Sequence, residues 1–338
     1  MGLRWSSAAA GLAASALLLA ASAPAVTAGP YFDGKEVKLI VPNTAAGTMS
    51  QYAHTLAPMI AKNLGASIRV ENQPGAGSLK GTNNIWNAKP DGLTFGFTNV
   101  PTLLVAQIAE SPGAQFKATD FTFLGRAAAD PRLLLIGGSS EIKSMQDLLD
   151  LGRPFVVASQ GTDEDFYSTV VICDALDIDM KIVTGYEGAA DTALAVIKGD
   201  ADGQMTGWAA SLPMIKNNEL RPIVFVTPER QEVAPDVPTV NELLKDETKK
   251  QQINAISAVL TLSRGFFGPP NMDPVARDEL RAAIEKTLTD PAVVEEMNGK
   301  GMPIVFLSGA EQEKLAKGVF ESAADLTPLF KDALAKIQ

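Results

Sequence analysis

The segment Val70-Glu71-Asn72-Gln73-Pro74-Gly75-Ala76-Gly77-Ser78-Leu79-Lys80-Gly81, closed by Ala88-Lys89-Pro90-Asp91-Gly92, constrains the fold more than any other part of the chain. Ile68 to Val70 reads as a strand, the glycines as a tight turn, and the residues from about Ser78 as a helix. Leu93 to Thr98 reads as a further strand, entered through Pro90-Asp91-Gly92. The same order comes just before, from a strand at Val37 to Val41 through Pro42-Asn43-Thr44-Ala45-Ala46-Gly47 to Thr48-Met49-Ser50. Strands joined through helices must return over the face of a sheet. The alternation therefore predicts an α/β architecture, a mixed and mostly parallel sheet flanked by helices. In such sheets ligands sit beyond the carboxyl ends of the strands, where both turns lie. Helix starts there present unpaired N–H groups and a partial positive charge, which suit a small anion.

The helix after the first turn carries a stripe at Ala53, Leu56, Ala57, Ile60 and Leu64, spaced for one buried face. Pro58 within it removes a hydrogen bond to the His54 carbonyl and predicts a kink or a shifted start. A second unit is expected from about Arg126. Its strands are Leu133 to Ile136, Phe155 to Ala158, Lys181 to Thr184, Gln204 to Thr206 and Pro222 to Val226. Ser144 caps a helix to Leu151, and another runs from Ala189 to Lys198 and stops at Gly199. The chain then returns to the first unit, with helices over Asp273 to Leu288, from Asp290-Pro291, and from Gly309 onward. The expected lobes are 29–125 plus 250–338, and 126–249, with a ligand cleft between them.

Residues 1–28 follow the secretory-signal pattern: Arg4, an apolar run from Ala8 to Ala21, and Val26-Thr27-Ala28 as the cleavage site. The run is short for a membrane span, and no Cys stands at the cleavage site to take a lipid. The mature chain is expected to begin at Gly29 and to work in a bacterial periplasm. One cysteine, Cys173, precludes an internal disulfide, so about 310 residues must be held by an ordinary core. Cys173 lies in an apolar helical setting and reads as a buried thiol. The net charge of −10 and the lack of basic runs exclude a nucleic-acid partner. One histidine and one cysteine make no ordinary zinc site, and no metal or cofactor is expected. Gly75, Gly77 and Gly81 miss the dinucleotide spacing by one residue. A secreted hydrolase using Ser50 or Ser159 would need a base; His54 is the only histidine and there is no nucleophile elbow.

Taken in order, these segments resemble the periplasmic solute-binding proteins of tripartite tricarboxylate transporters, the Bug family. The run from Val70 to Thr94 carries most of the resemblance. Further matches are Gly185-Tyr186-Glu187-Gly188, Gly199-Asp200-Ala201-Asp202, Pro235-Asp236-Val237-Pro238-Thr239-Val240-Asn241-Glu242 and Gly265-Phe266-Phe267-Gly268-Pro269-Pro270. The resemblance implies a two-lobed periplasmic type II binding fold and no catalysis. It implies a monomer that closes over a small organic acid and hands it to a carrier with one large and one small membrane subunit. An alternative role is a ligand-sensing subunit for a sensor kinase. The resemblance also implies that the loop after the first strand, Pro42 to Ser50 here, holds a carboxylate through backbone groups. That loop departs from the family form Pro-Phe-x-x-Gly-Gly-x-x-Asp with Ala-Arg three residues on: Asn43 replaces Phe, Ala46 the first Gly, Ser50 the Asp and His54 the Arg. Ala46 should resist a positive φ, and Ser50 should cap the helix.

The candidate ligand-binding residues are accordingly Thr44, Ala45, Ala46, Gly47, Thr48, Met49 and Ser50. Gly77 and Ser78 join them, although a purely structural turn there is an alternative. Thr98 and Asn99 end a strand toward the cleft, and Ser159-Gln160-Gly161-Thr162 end another in the second unit. Tyr186 and Trp208 are candidates to meet the ligand body, with core packing the alternative for Trp208. A di- or tricarboxylic acid is expected; the altered loop leaves an aromatic or amidic acid open. Asp202 reads equally as a loop brace or as a contact for a ligand amine.

Overall fold

The structure, a computed structural model, describes residues 31–337; the signal-like segment 1–28 lies outside the described residues. Strand β1 (Glu36–Val41) leads into helix α1 (Thr48–Leu64), which returns through β2 (Ser67–Asn72). Helix α2 (Leu79–Trp86), β3 (Thr94–Asn99) and α3 (Val100–Ile108) follow, and β4 (Thr122–Ala128) completes the first pass. The chain crosses at residues 129–131 into β5 (Arg132–Gly137), α4 (Met145–Leu149), β6 (Phe155–Ala158) and α5 (Glu164–Ala175). Next come β7 (Met180–Val183), α6 (Ala189–Lys198), β8 (Gly203–Gly207), α7 (Trp208–Lys216) and β9 (Leu220–Phe225). Helices α8 (Val240–Leu243) and α9 (Glu247–Leu260) lead back to β10 (Arg264–Gly268). Helices α10 (Pro274–Leu288) and α11 (Pro291–Gly299), strand β11 (Leu307–Ser308), and helices α12 (Gly309–Ser322) and α13 (Thr327–Ile337) end the chain.

Two mixed sheets result, in the orders β11-β4-β10-β3-β1-β2 and β7-β6-β8-β5-β9. The pairs β1–β2, β1–β3, β6–β7 and β6–β8 are parallel, as the strand–helix alternation requires. The antiparallel pairs involve the strands beside the crossings: β10 lies between β3 and β4, and β5 between β8 and β9. The first sheet keeps Arg126 to Ala128 in β4. Each lobe thus has its own sheet and flanking helices, joined by two crossing segments.

The apolar stripe of α1 is buried against β1 and α10, and Tyr52 is fully covered. The helix begins at Thr48 with Gly47 as its cap and continues through Pro58 to Gly65, which is left-handed. Ser50 is therefore an interior residue of the first turn, not the cap: Gly47 already takes the extended cap conformation. Behind both sheets, α5 packs against α3, α9 and α13, with Tyr167 against Phe330 at 4.4 Å between ring centroids. That shared core explains why nearly all of α5 is buried.

Candidate functional site

Beyond the carboxyl ends of β1, β3, β6 and β8 lies a cleft of about 850 Å³ between the lobes. The lobes meet at two points on its rim. A β-carbon at Gly161 would stand 3.8 Å from Gly77 Cα, and one at Gly188 would stand 3.9 Å from Thr44 Oγ1. The two lobes are thus in van der Waals contact across the rim.

The first-lobe wall is built around the start of α1. Thr44, Ala46, Gly47, Thr48 and Met49 line it. Gly47 offers no side chain to satisfy the first-turn donors, and the amides of Thr48, Met49 and Ser50 have no partner among the described residues. Ala46 does not take a positive φ, so its replacement of a glycine strains nothing. A polar network fixes this loop. Thr98 Oγ1 donates to Asn43 Oδ1 (2.9 Å), Asn43 Nδ2 to Ser78 Oγ (3.1 Å), and Asn72 Nδ2 to the Asn43 carbonyl (2.9 Å). Ser50 Oγ donates to Asn72 Oδ1 at 3.2 Å. Asn43 thus ties the loop to β2, β3 and the start of α2.

The glycine turn behaves differently from the α1 loop. Gly75, Ala76, Gly77 and Ser78 have φ values of 131°, 50°, 59° and 74°, four left-handed residues in succession. For Ala76 and Ser78 this conformation costs roughly 1–2 kcal/mol each. The turn uses its own carbonyls: Leu79 N donates to Ala76 O at 3.1 Å, and Lys80 N to Gly75 O at 3.3 Å. Gly77 and Ser78 line the cleft, but these two α2 amides are engaged within the turn.

The second-lobe wall is formed by the start of α6, with Gly188 as its cap and no side-chain cap bond. Tyr186 and Gln160 also face the cleft. At the floor stand Arg132, Asp163, Glu164, Asp165, Gln204 and Arg264. Arg132 pairs with Glu164 and lies 3.1 Å from Asp165; Thr102 donates to the other Glu164 oxygen. Burial pulls the Arg132 guanidinium down, and Asp165, Glu164 and Asp130 more than reverse this, holding it fully charged. Asp163 caps α5 by accepting from Phe166 N at 3.1 Å. Burial, then repulsion from Glu164, pushes its carboxyl up to about 7. Burial likewise raises Asp165 well above the ordinary range, against the pull of Arg132. Where the chain crosses between lobes, Asp130 accepts from Arg264 Nη2 (2.6 Å) and from Ala209 N (2.9 Å), and its own amide donates to Ser263 Oγ (3.2 Å). Both crossing segments are clasped together there.

Ten sequence candidates line the cleft: Thr44, Ala46, Gly47, Thr48, Met49, Gly77, Ser78, Asn99, Gln160 and Tyr186. Seven do not. Ser50 and Thr98 are buried in the Asn43 network, and Ser159 Oγ turns back to the Gly161 carbonyl at 3.1 Å. Trp208 is half-buried and packs at a tilt on Phe225 at the edge of the second-lobe core, with ring centroids 5.9 Å apart. Ala45 stands outside the lining, and Gly161 and Thr162 form the rim contact with Gly77. Asp202 braces a loop, accepting from Arg153 and from Val156 N. His54 is exposed and partners neither serine. Sequence reasoning missed the floor. Its signal was present: Arg132 opens an apolar strand, and three successive acids open an apolar helix.

The sequence profile of the tripartite tricarboxylate transporter family receptor matches residues 52–327. The chain belongs to that family. It is 27% identical over 309 residues to a UPF0065 protein of Agrobacterium vitis from the TAR-I ttuE-ttuC' intergenic region, covering 86% of this chain and 85% of the relative. It is 22% identical to BugT of Bordetella pertussis, covering 80% and 81%. Among solved structures, MatC of Rhodopseudomonas palustris with bound malate superposes with a TM-score of 0.71 at 23% identity, covering 88% of this chain and 99% of that one. A second protein of that organism, solved with adipate, gives 0.71 at 20% identity, covering 88% and 97%. BugD gives 0.71 at 20% identity, covering 89% and 98%. These likenesses establish the two-lobed periplasmic-binding-protein fold. No helix among the described residues is long and apolar enough to cross a membrane.

Proposed function

We propose that this receptor is a periplasmic binding protein that captures a small organic carboxylate, closes over it, and delivers it to a tripartite carrier. The single observation that carries this reading is the start of α1. The unpaired amides of Thr48 and Met49 and the positive end of a 17-residue helix open onto the cleft, with no side chain capping them. The Asn43 network holds those amides in place before a ligand arrives, which lowers the ordering cost of binding. A carboxylate seated at Thr48 and Met49 would exchange water for charge-assisted hydrogen bonds. Gly188 and the α6 amides face it from the opposite lobe, so a bound ligand would draw the lobes together. Family membership supports the carrier, with one large and one small membrane subunit, as the partner. The exported location is proposed on the same ground, and the working unit is proposed to be a monomer. Calorimetry with a panel of small carboxylates tests the reading. Micromolar binding of at least one is expected; absence of binding across the panel, with clear binding of a sugar, refutes it.

A further inference from the structure

Seven charged residues line the cleft, and five are acids: Asp163, Glu164, Asp165, Glu187 and Asp191, against Arg132 and Arg264. Arg264 gives Nη2 to Asp130, and its Nε and Nη1 have no hydrogen-bond partner among the described residues. Arg132 is the lining cation that pairs with Glu164 and Asp165 among the three successive acids at the start of α5. Glu164 is satisfied at both oxygens, by Arg132 and by Thr102. Asp165 is not. Its side chain is nine-tenths buried, and Oδ1 lies 3.1 Å from Arg132 Nε, off the line of that N–H, so that it accepts no hydrogen bond. Asp163 accepts from the Phe166 amide, and no side chain among the described residues donates to it. This wall has more acceptor charge than the protein itself answers.

Resting on the reading that the α1 amides hold a carboxylate, we propose that the ligand is zwitterionic, its ammonium group seated against Asp163 and Asp165. A second carboxylate on the ligand would bring a further negative charge to a place where three acids share one guanidinium. An ammonium group supplies what that wall lacks: positive charge and several N–H donors. A metal ion does not fit the same role, because no three His, Cys, Asp or Glu residues among those described are grouped to hold one. The rise in proton affinity of Asp163 and Asp165 fits the same picture: without a cation beside them, these acids hold protons instead.

The rival arrangement has a protonated Asp165 donating to a second ligand carboxylate, and it predicts the reverse preference. Calorimetry separates the two. The purified protein, freed of carried ligand by unfolding and refolding, is titrated with matched probes: short linear diacids, and the amino acids of equal length in which one carboxylate gives way to an ammonium group. At least one amino acid is expected to bind about tenfold or more tightly than its diacid partner. Asp165→Asn is expected to lower that affinity about tenfold and to leave diacid binding unchanged or improved. Asp163→Asn serves as a second variant with the same expectation. Tighter binding of diacids, or an unchanged preference in both folded variants, overturns the zwitterion inference and leaves carboxylate capture standing. Failure of every probe in both series overturns the carboxylate reading and this inference with it.

Discussion

Replacing Asp163 by Asn should stabilise the ligand-free protein at alkaline pH, and the size of the effect follows from the buried position of this acid. In the unfolded chain the carboxyl ionises near its ordinary value of 3.8; in the folded protein burial and Glu164 hold it up to about 7. Below about pH 4 both states carry the proton, and the group contributes nothing. Between about 4 and 7 the unfolded chain has released the proton while the folded chain keeps it, so stability falls as pH rises. Above 7 the loss is complete. Each tenfold difference in proton affinity is worth about 1.4 kcal/mol, so the full penalty reaches roughly 4 kcal/mol. Part of it belongs jointly to Glu164 and Asp165, which leaves an expected gain of about 2–4 kcal/mol for Asp163→Asn at pH 8. Asn is as good a helix cap as Asp, so the bond from Phe166 N survives the change. Urea unfolding followed by circular dichroism at pH 4.5, 6 and 8 measures this. The variant should exceed the parent least at pH 4.5, by about 1 kcal/mol, and increasingly above. Parallel pH profiles for the two proteins, or a less stable variant at pH 8, would refute the argument.

Three other outcomes follow from the geometry. Gly207→Ala places a β-carbon 2.1 Å from Asp130 Oδ2 and 2.7 Å from Arg132 Nη1, so the clasp between the crossing segments must open; a loss of about 3 kcal/mol is expected in thermal or urea unfolding. Asn43→Ala removes the bonds to Thr98 and Ser78 while leaving the Asn43 carbonyl to Asn72; about 1–2 kcal/mol of stability should be lost, with ligand affinity falling in calorimetry as the α1 loop loosens. Cys173 is buried and its thiol is pushed up to about 12, so a thiol reagent at pH 8 should leave the native protein unmodified and react once urea unfolds it.

The alternation of strand and helix was readable because each element has a short, local signature. The stripe from Ala53 to Leu64 is buried as its spacing requires, and Ser144 accepts from Asp147 N as its position before a helix predicts. The antiparallel insertion of β10 between β3 and β4 was not readable. Arg264 to Gly268 is a short run whose partners lie more than a hundred residues upstream, and local pattern does not specify such pairing. At the site, backbone donors were legible because turn chemistry places them, whereas side-chain roles depend on what stands opposite. Ser50, Thr98 and Ser159 carry hydroxyls at the right strand and helix ends; Ser50 and Thr98 are consumed by neighbours that only the fold supplies, and Ser159 by the Gly161 carbonyl in its own turn. The acids 163–165 look in sequence like an ordinary charged helix start. They become unusual only because α5 is enclosed by α3, α9 and α13, which removes the water that would otherwise screen them.

The departures from the family pattern then form one arrangement rather than separate losses. Where that pattern has an acid at the α1 loop, this chain has Ser50, buried and bonded to Asn72, so no negative charge stands beside the free amides. Asn43, in place of an aromatic residue, supplies the polar ties that hold the loop without it. Negative charge is instead collected at the floor and on the second-lobe wall, at Asp163 to Asp165 and at Asp191. Free amides of α1 together with the acids at the floor would suit a ligand that carries both signs, the arrangement proposed above. Charge placement of this kind acts on selectivity more than on fold. Neutralising the acid wall should therefore change which acids bind while leaving the two-lobed architecture intact.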